Sequence, residues 1–254
     1  MAVNKIIDSG KAFEWGNTSK AYAKYRDIYP PFLYDKLREF GVSADGTSWL
    51  DLGTGTGILP LNLYNPKADI TGADISAQQI FFAQSAAAEK GYNISFIVSP
   101  AENLPFPDNS FDVICAAQCF WYFEKEKTRA EIKRLIKPNG KFIKIVLDWA
   151  YDDEISAKSI ALVKKYNPFW QPENLATEDM FDDLFEGRKT EIYSLKLAFE
   201  RENWHGRMCA CRGTLASMDG ETFKKWSEEH IKMLENYPEK FEIEHKLYIS
   251  VFEF

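Results

Sequence analysis

The sequence predicts an α/β protein: a doubly wound, mostly parallel seven-stranded sheet with an antiparallel C-terminal edge strand and helical lid insertions. Three observations predict it. Short apolar runs alternate with helical stretches through roughly the first 150 residues, the spacing of βαβ units whose parallel sheet is covered on both faces. The first apolar run ends in a glycine-rich turn that opens a helix. Two runs near the C-terminus alternate apolar and polar residues with the period of two that half-buried strands require.

Taken in order, Thr18 to Gly41 reads as helical, broken at Tyr29-Pro30-Pro31 and closed by Gly41. Ser48 to Leu52 is a strand that runs into Gly53-Thr54-Gly55-Thr56-Gly57, and Ile58, Leu59, Leu61 and Leu63 follow as a short helix. Ala68 to Ala73 is a second strand ending at Asp74, after which Ser76 caps an alanine-rich helix from Ala77 to about Lys90 that stops at Gly91. Asn93 to Val98, Phe111 to Ala117 and Lys141 to Leu147 are the next strands, with a helix from Lys125 to Lys137 between the last two. Asp153 to Tyr166 and Glu178 to Phe185 read as helices around a loop at Asn167 to Pro172. Glu191 to Glu200 and Glu242 to Phe252 are strands flanking a helical stretch from about His205 to Asn236. Ile243, His245, Leu247, Ile249 and Val251 share one side of the final run, which ends the chain as an edge strand would. The organisation expected is one domain over 1–254: N-terminal lid helices at 1–45, a core at 46–150, helical lid insertions at 151–190 and 201–238, and C-terminal strands at 191–200 and 241–254.

The chain has 254 residues, 45% hydrophobic and 27% charged, and a formal net charge of −7, which excludes a disordered or collagen-like chain. With no Lys/Arg block there is no footprint for a phosphate backbone, so no nucleic-acid partner is expected. The longest apolar run, Val113 to Phe123, is too short to cross a bilayer, and Met1 to Gly10 lacks the apolar stretch of a signal peptide. No membrane partner and a cytoplasmic location are therefore expected. Four cysteines at 115, 119, 209 and 211 make neither a disulfide framework nor a structural zinc site, and they read as reduced and mostly buried. The 15% of aromatic residues serves cores and apolar pockets alike.

In an open parallel sheet, ligands bind outside the carboxyl ends of the strands, where the glycine-rich turn sits. The turn fails the dinucleotide fingerprint, because Ile58 stands where the third small residue belongs. Asp51, two residues before Gly53, would repel a pyrophosphate but favour the ammonium and sulfonium of S-adenosylmethionine. Asp74 can accept both hydroxyls of a ribose, which either cofactor carries.

Leu50 to Gly57, then Asp74, then Ala101-Glu102-Asn103-Leu104-Pro105-Phe106-Pro107-Asp108-Asn109-Ser110-Phe111-Asp112, then Lys137-Pro138-Asn139-Gly140-Lys141 together resemble the class I S-adenosylmethionine-dependent methyltransferases of the small-molecule type, with a Rossmann-like sheet. Tyr22 to Pro30 and Phe120-Trp121-Tyr122-Phe123 are similar to the branch that includes trans-aconitate methyltransferases. The resemblance implies that Gly53, Thr54, Gly55 and Gly57 bed the methionine portion, Asp51 reaches its ammonium, Asp74 holds the ribose and Ile75 packs on the adenine. It further implies that Ala101 offers its N–H to the adenine with Glu102 beside it, and that Gln118 lies under the reacting methyl. Arg26 is placed to pair with the cofactor carboxylate, or else is a helix-surface arginine. Where the family carries an aspartate before the Ala-Glu pair, this chain has Pro100, so adenine recognition must differ, through Glu102 or a backbone carbonyl.

Methyl transfer of this kind is an in-line displacement that requires neither a covalent nucleophile nor a metal. If the acceptor needs a base, His205 is the candidate, and the other two histidines read as surface or strand residues. Tyr22, Phe120, Trp121, Trp149, Trp170 and Trp204 are candidates for a substrate pocket, or for ordinary core. Arg207 and Arg212, with Arg26, make a cationic end for a carboxylate substrate, or are solvated. The acceptor expected is a small organic acid or an aromatic metabolite. An NAD(P)-dependent oxidoreductase and a non-catalytic relative acting as an interaction module are the alternatives.

Overall fold

The structure, a computed structural model, describes residues 7–172 and 185–254. The expected helix from Glu178 to Phe185 lies, Phe185 excepted, outside the described residues. The N-terminal helical stretch divides at its proline break into α1 (Ser19–Tyr25) and α2 (Pro31–Glu39); Pro31 occupies the first turn of α2, where its missing N–H has no intrahelical partner to lose. The glycine-rich turn joins β1 (Ser48–Leu52) to α3 (Ile58–Asn62). After β2 (Asp69–Asp74), the Ser76 side chain accepts from the Gln79 N–H and opens α4 (Ala77–Lys90), and Gly91 ends it at a left-handed φ of 67°. Then come β3 (Ser95–Val98), β4 (Phe111–Ala117), α5 (Lys125–Leu135) and β5 (Ile136–Trp149).

Beyond β5 lie α6 (Glu154–Tyr166), β6 (Lys189–Glu200), α7 (Arg201–Cys209), α8 (Gly220–Leu234) and β7 (Lys240–Glu253). The helical stretch expected from His205 to Asn236 is two helices. Thr214 Oγ, held among the carbonyls of Met208, Cys209 and Cys211, closes the first, and Asp219 caps the second by accepting the Thr222 N–H at 2.8 Å.

The sheet order is β3-β2-β1-β4-β5-β7-β6. β1 pairs in parallel with β2 and β4, and β3 and β5 extend the parallel set on either side. β7 runs antiparallel to β5, as the bonds from Asn139 N–H to the Phe254 carbonyl and from Ala150 N–H to the Glu244 carbonyl show. The final strand is not itself the edge. It is inserted between β5 and β6, which explains why its Ile243, Leu247 and Ile249 are fully buried, and β6 with its alternating exposure takes the edge.

Internal contacts divide the chain into two compact units. One comprises Tyr29–Leu147, Thr177–Tyr193 and Leu247–Phe254; it holds the parallel strands, with Leu50, Ile114, Phe142 and Phe252 at the centre of its core. The other comprises Met1–Ile28, Asp148–Ala176 and Ser194–Lys246. In it α7 packs on α1 and α8, and α6 packs on α8, around Trp149, Val163, Trp204, Trp226 and Ile243. Among the described residues, no helix is long and apolar enough to cross a membrane.

Candidate active site

Four adjacent parallel strands, in the order β3-β2-β1-β4, bring their carboxyl ends together, and the sequence motifs lie on those ends. Asp51 stands in β1 beside Gly72 of β2 and Cys115 of β4, so its side chain is enclosed by the sheet and is 3% exposed. Its Oδ2 accepts the Thr54 hydroxyl at 2.7 Å. Burial pushes this carboxyl up to about 7, and the charge of Asp74 adds to the rise while the Thr54 bond opposes it.

The loop after β1 is tied to the end of β2. The Thr54 N–H donates to the Ala73 carbonyl at 2.9 Å, and the Gly55 N–H donates to Asp74 Oδ2 at 2.9 Å. Asp74 Oδ1 accepts the Ser76 N–H at 2.8 Å, so this carboxylate fixes both the loop and the entry to α4 while Ser76 supplies the cap. A carboxylate has about four lone-pair positions, so about two remain for a ligand. Burial raises the Asp74 carboxyl too. Gly53 has no alternative residue: its φ is +61°, and a Cβ there would stand 2.8 Å from the Cys119 Cβ. That close approach of β1 and β4 is one sequence reading misses, because the two residues are far apart in the chain and nothing local marks the pair.

The turn after β3 joins the same end, through the Ser99 N–H to the Asp74 carbonyl at 3.0 Å. Ala101 is buried there. Glu102 Oε1 accepts the Glu124 N–H at 2.8 Å, which holds it to the start of α5. Ile75 is 62% exposed, a large apolar side chain held out at the end of β2. Gln118, just past β4, has a left-handed φ of +59°, and its side-chain amide donates to the Leu147 carbonyl. A left-handed glutamine is uncommon backbone of the kind that collects at ligand sites. Phe120 is core, packed against Phe123 and Phe142, whereas Trp121 is half-buried beside Tyr122.

The remaining candidates belong to the other unit. The Arg26 guanidinium lies 4.9 Å over the Tyr22 ring. Trp149 and Trp204 meet edge to face at 5.9 Å, and Trp170 is buried against Gly213. Arg212 is not at a free cationic end: it is buried and paired with Asp8, through Nε to Oδ2 at 2.6 Å and Nη2 to Oδ1 at 2.9 Å.

His205 stacks on Trp226 and joins a hydrogen-bonded chain whose direction follows from counting protons. Ser159 gives its only hydroxyl proton to the Ile155 carbonyl and accepts from Trp204 Nε1. His230 Nε2 must then donate to Ser159, its Nδ1 accepts from His205 Nδ1, and His205 Nε2 accepts from Ser227. Burial lowers His205 to about 4, so it is neutral at pH 7, but its lone pair is already engaged. His230, expected as a surface or strand residue, is fully buried on α8, because Ser159 and His205 satisfy both its nitrogens.

The donor set at the strand ends fits one kind of cofactor. Two carboxyls that burial makes costly to ionise are stabilised by a cation and by hydroxyls, and a pyrophosphate would meet only repulsion from them. S-adenosylmethionine, with an ammonium, a sulfonium and a ribose, matches that set.

Comparison with known proteins agrees. The family model described as "Methyltransferase domain" matches residues 50–144. A demethylmenaquinone methyltransferase of Thermus thermophilus is 37% identical over 97 residues, which covers 37% of this chain and 44% of that protein. The ubiquinone/menaquinone biosynthesis C-methyltransferase UbiE of Hahella chejuensis is 33% identical over 150 residues, 56% of this chain and 57% of that protein. The chain thus spans about half the length of these curated relatives. The solved structure of the YcgJ protein of Bacillus subtilis matches the fold with a TM-score of 0.54 at 21% identity, over 84% of this chain and 96% of that one. Residues 50–144 thus match a methyltransferase domain, and the sheet that carries them has the fold of the solved Bacillus subtilis protein.

Proposed function

We propose that this protein transfers a methyl group from S-adenosylmethionine to a small molecule, a carboxylic acid or an aromatic metabolite. The observation that carries the proposal is Asp51, a buried carboxyl at the end of β1 with one hydroxyl for a partner and its acidity suppressed until a cation arrives. The bound cofactor supplies an electrophilic methyl group on a sulfonium. Asp51 holds the ammonium, the free lone pairs of Asp74 take the ribose hydroxyls, and the loop Gly53, Thr54, Gly55 and Gly57 beds the methionine portion. Ile75 packs on the adenine, Ala101 and Glu102 border it, and Gln118 closes the side of β4. Such a site works by holding and orienting its ligands and excluding water. Two relatives whose names carry quinone pathways support an aromatic acceptor.

Incubation with methyl-tritiated cofactor and a metabolite extract tests the reading. Label is expected in a small organic molecule. Label found only in peptide or nucleic acid refutes the acceptor class, and calorimetry showing tight NADH binding with no S-adenosylmethionine binding refutes the reaction.

A further inference from the structure

Three arginines of the unit formed by Met1–Ile28, Asp148–Ala176 and Ser194–Lys246 differ in how their charge is met. Arg212 is paired with Asp8, and Arg26 lies on Tyr22. Arg207, on α7, is 2% exposed, and its Nε and Nη1 are sealed from solvent and donate to nothing among the described residues. Its guanidinium lies 4.5 Å over the Trp149 ring and 5.8 Å from that of Trp204. Trp149 Nε1 is a second buried donor with no acceptor. Buried N–H groups are nearly always bonded, and a buried guanidinium flanked by an unbonded indole N–H is a donor set in need of an acceptor.

We propose that Arg207 and Trp149 form a binding site for a small organic carboxylate, the guanidinium and the indole Nε1 donating to its oxygens. Asp148, half-buried and accepting the Tyr151 hydroxyl at 3.3 Å, feels the charge of Arg207 but forms no ion pair with it. His245 is neutral and keeps a bare Nε2, since its Nδ1–H donates to the Ile243 carbonyl. Burial and the charge of Arg26 lower Arg207 to about 9, which leaves it cationic at neutral pH. The guanidinium and the single indole N–H offer donors for the two oxygens of a carboxylate. The rings packed around it, Trp149 on Trp204, Trp204 on Phe199 and Phe199 on His245, suit an apolar or planar body behind the carboxylate.

The test compares benzoate, its neutral counterpart benzamide and inorganic phosphate as ligands of the full chain, by calorimetry and thermal shift. Benzoate is expected to bind wild-type protein at least tenfold more tightly than benzamide or phosphate. Arg207→Met is expected to lose that preference, and Trp149→Phe, which keeps the ring but not the donor, to weaken benzoate several-fold. Because Arg207→Met removes an unbonded buried cation, its ligand-free melting temperature should stay level or rise; a lower one, with no benzoate preference in the wild type, overturns the site and assigns Arg207 to packing. Equal binding of benzoate and benzamide by the wild type overturns it without any variant, and a preference for phosphate overturns the ligand class. A tenfold loss of S-adenosylmethionine affinity in Arg207→Met overturns the site as a separate one, because the carboxylate is then the cofactor's own. Benzoate preference without methyl transfer to any acceptor would leave the site standing and the methyltransferase reading refuted.

Discussion

Replacing Asp51 by asparagine keeps the size of the side chain and a partner for Thr54 while removing the ionisable group. In the folded chain this carboxyl holds its proton to about 7, against an ordinary value of 3.8, because burial disfavours the charged form. The folded state is therefore protonated over a range in which the unfolded chain has already released its proton. Below about pH 4 both states are protonated and the group costs nothing; as pH rises from about 4 to about 7 the cost accrues, and above that it stays constant. At about 1.4 kcal/mol per pH unit, the full cost is of order 4 kcal/mol. Asp51→Asn should thus match the wild type in stability near pH 4 and exceed it by up to about 4 kcal/mol near pH 8. Urea denaturation of both proteins across that range measures the difference, and contributions from the histidines cancel in it. The same carboxyl must ionise to hold an ammonium. Calorimetry at pH 6 in buffers of different ionisation enthalpy should show release of about 0.9 proton when S-adenosylmethionine binds wild-type protein, and none from this position in Asp51→Asn, whose affinity falls by roughly 1.5–3 kcal/mol with the lost charge-assisted bond. A stability difference independent of pH, or equal proton release by the two proteins, would refute the account of Asp51.

Gly53→Ala forces a side chain into a left-handed φ of +61° and against the Cys119 Cβ; urea denaturation should show a loss of roughly 2–4 kcal/mol, with part regained when Cys119→Gly clears the contact. Asp8→Ala leaves the buried Arg212 guanidinium without its carboxylate, and a loss of about 3–5 kcal/mol is expected, whereas replacing Asp8 and Arg212 together by neutral residues of similar size should cost much less. Burial lowers His205 to about 4 and both His230 and His245 to about 3, so the unfolded chain takes up protons that the folded chain refuses. Their contribution is complete above about pH 6.5 and is lost as pH falls toward 4 and 3, which NMR titration of the three imidazoles and the acid limb of the stability curve will show.

The parallel core was legible because its signals are local. A strand that ends in Gly53-Thr54-Gly55-Thr56-Gly57, a Ser76 cap and a Gly91 stop each act within a few residues, and they fall where the sequence puts them. The C-terminal strands were legible as strands but not in order, because alternation in β7 reports a buried face and says nothing about which neighbours hydrogen-bond to its edges. The Lys137-Pro138-Asn139-Gly140 segment is drawn into β5 through a register irregularity near Phe111, pinned by bonds between Asn139 and Gly140 and the chain end at Phe254. Those partners are remote in sequence. The same limit applies to His230, whose buried state depends on Ser159 of another helix, and to the pairing of Arg212 with Asp8.

Charge left unmatched after folding is more informative than charge type read from the sequence. Arginines 26, 207 and 212 look alike in the chain, yet only Arg207 has both a buried guanidinium and no acceptor. Of the aspartates at 8 and 51, both nearly sealed from solvent, the first meets a guanidinium and the second only a hydroxyl. Evolution of stability alone would have paired these groups or replaced them with apolar residues of like volume, since an unmatched buried charge is among the costliest features a fold can keep. Asp51 lies in the first of the two compact units and Arg207 in the second. On the reading proposed above, a ligand that carries an ammonium answers the acid, and one that carries a carboxylate answers the base. The opposite signs of Asp51 and Arg207 therefore make a joint prediction: ligands that stabilise the protein through these two residues must be of opposite charge, and Asp51→Asn and Arg207→Met should each weaken the stabilisation by one of them and spare that by the other.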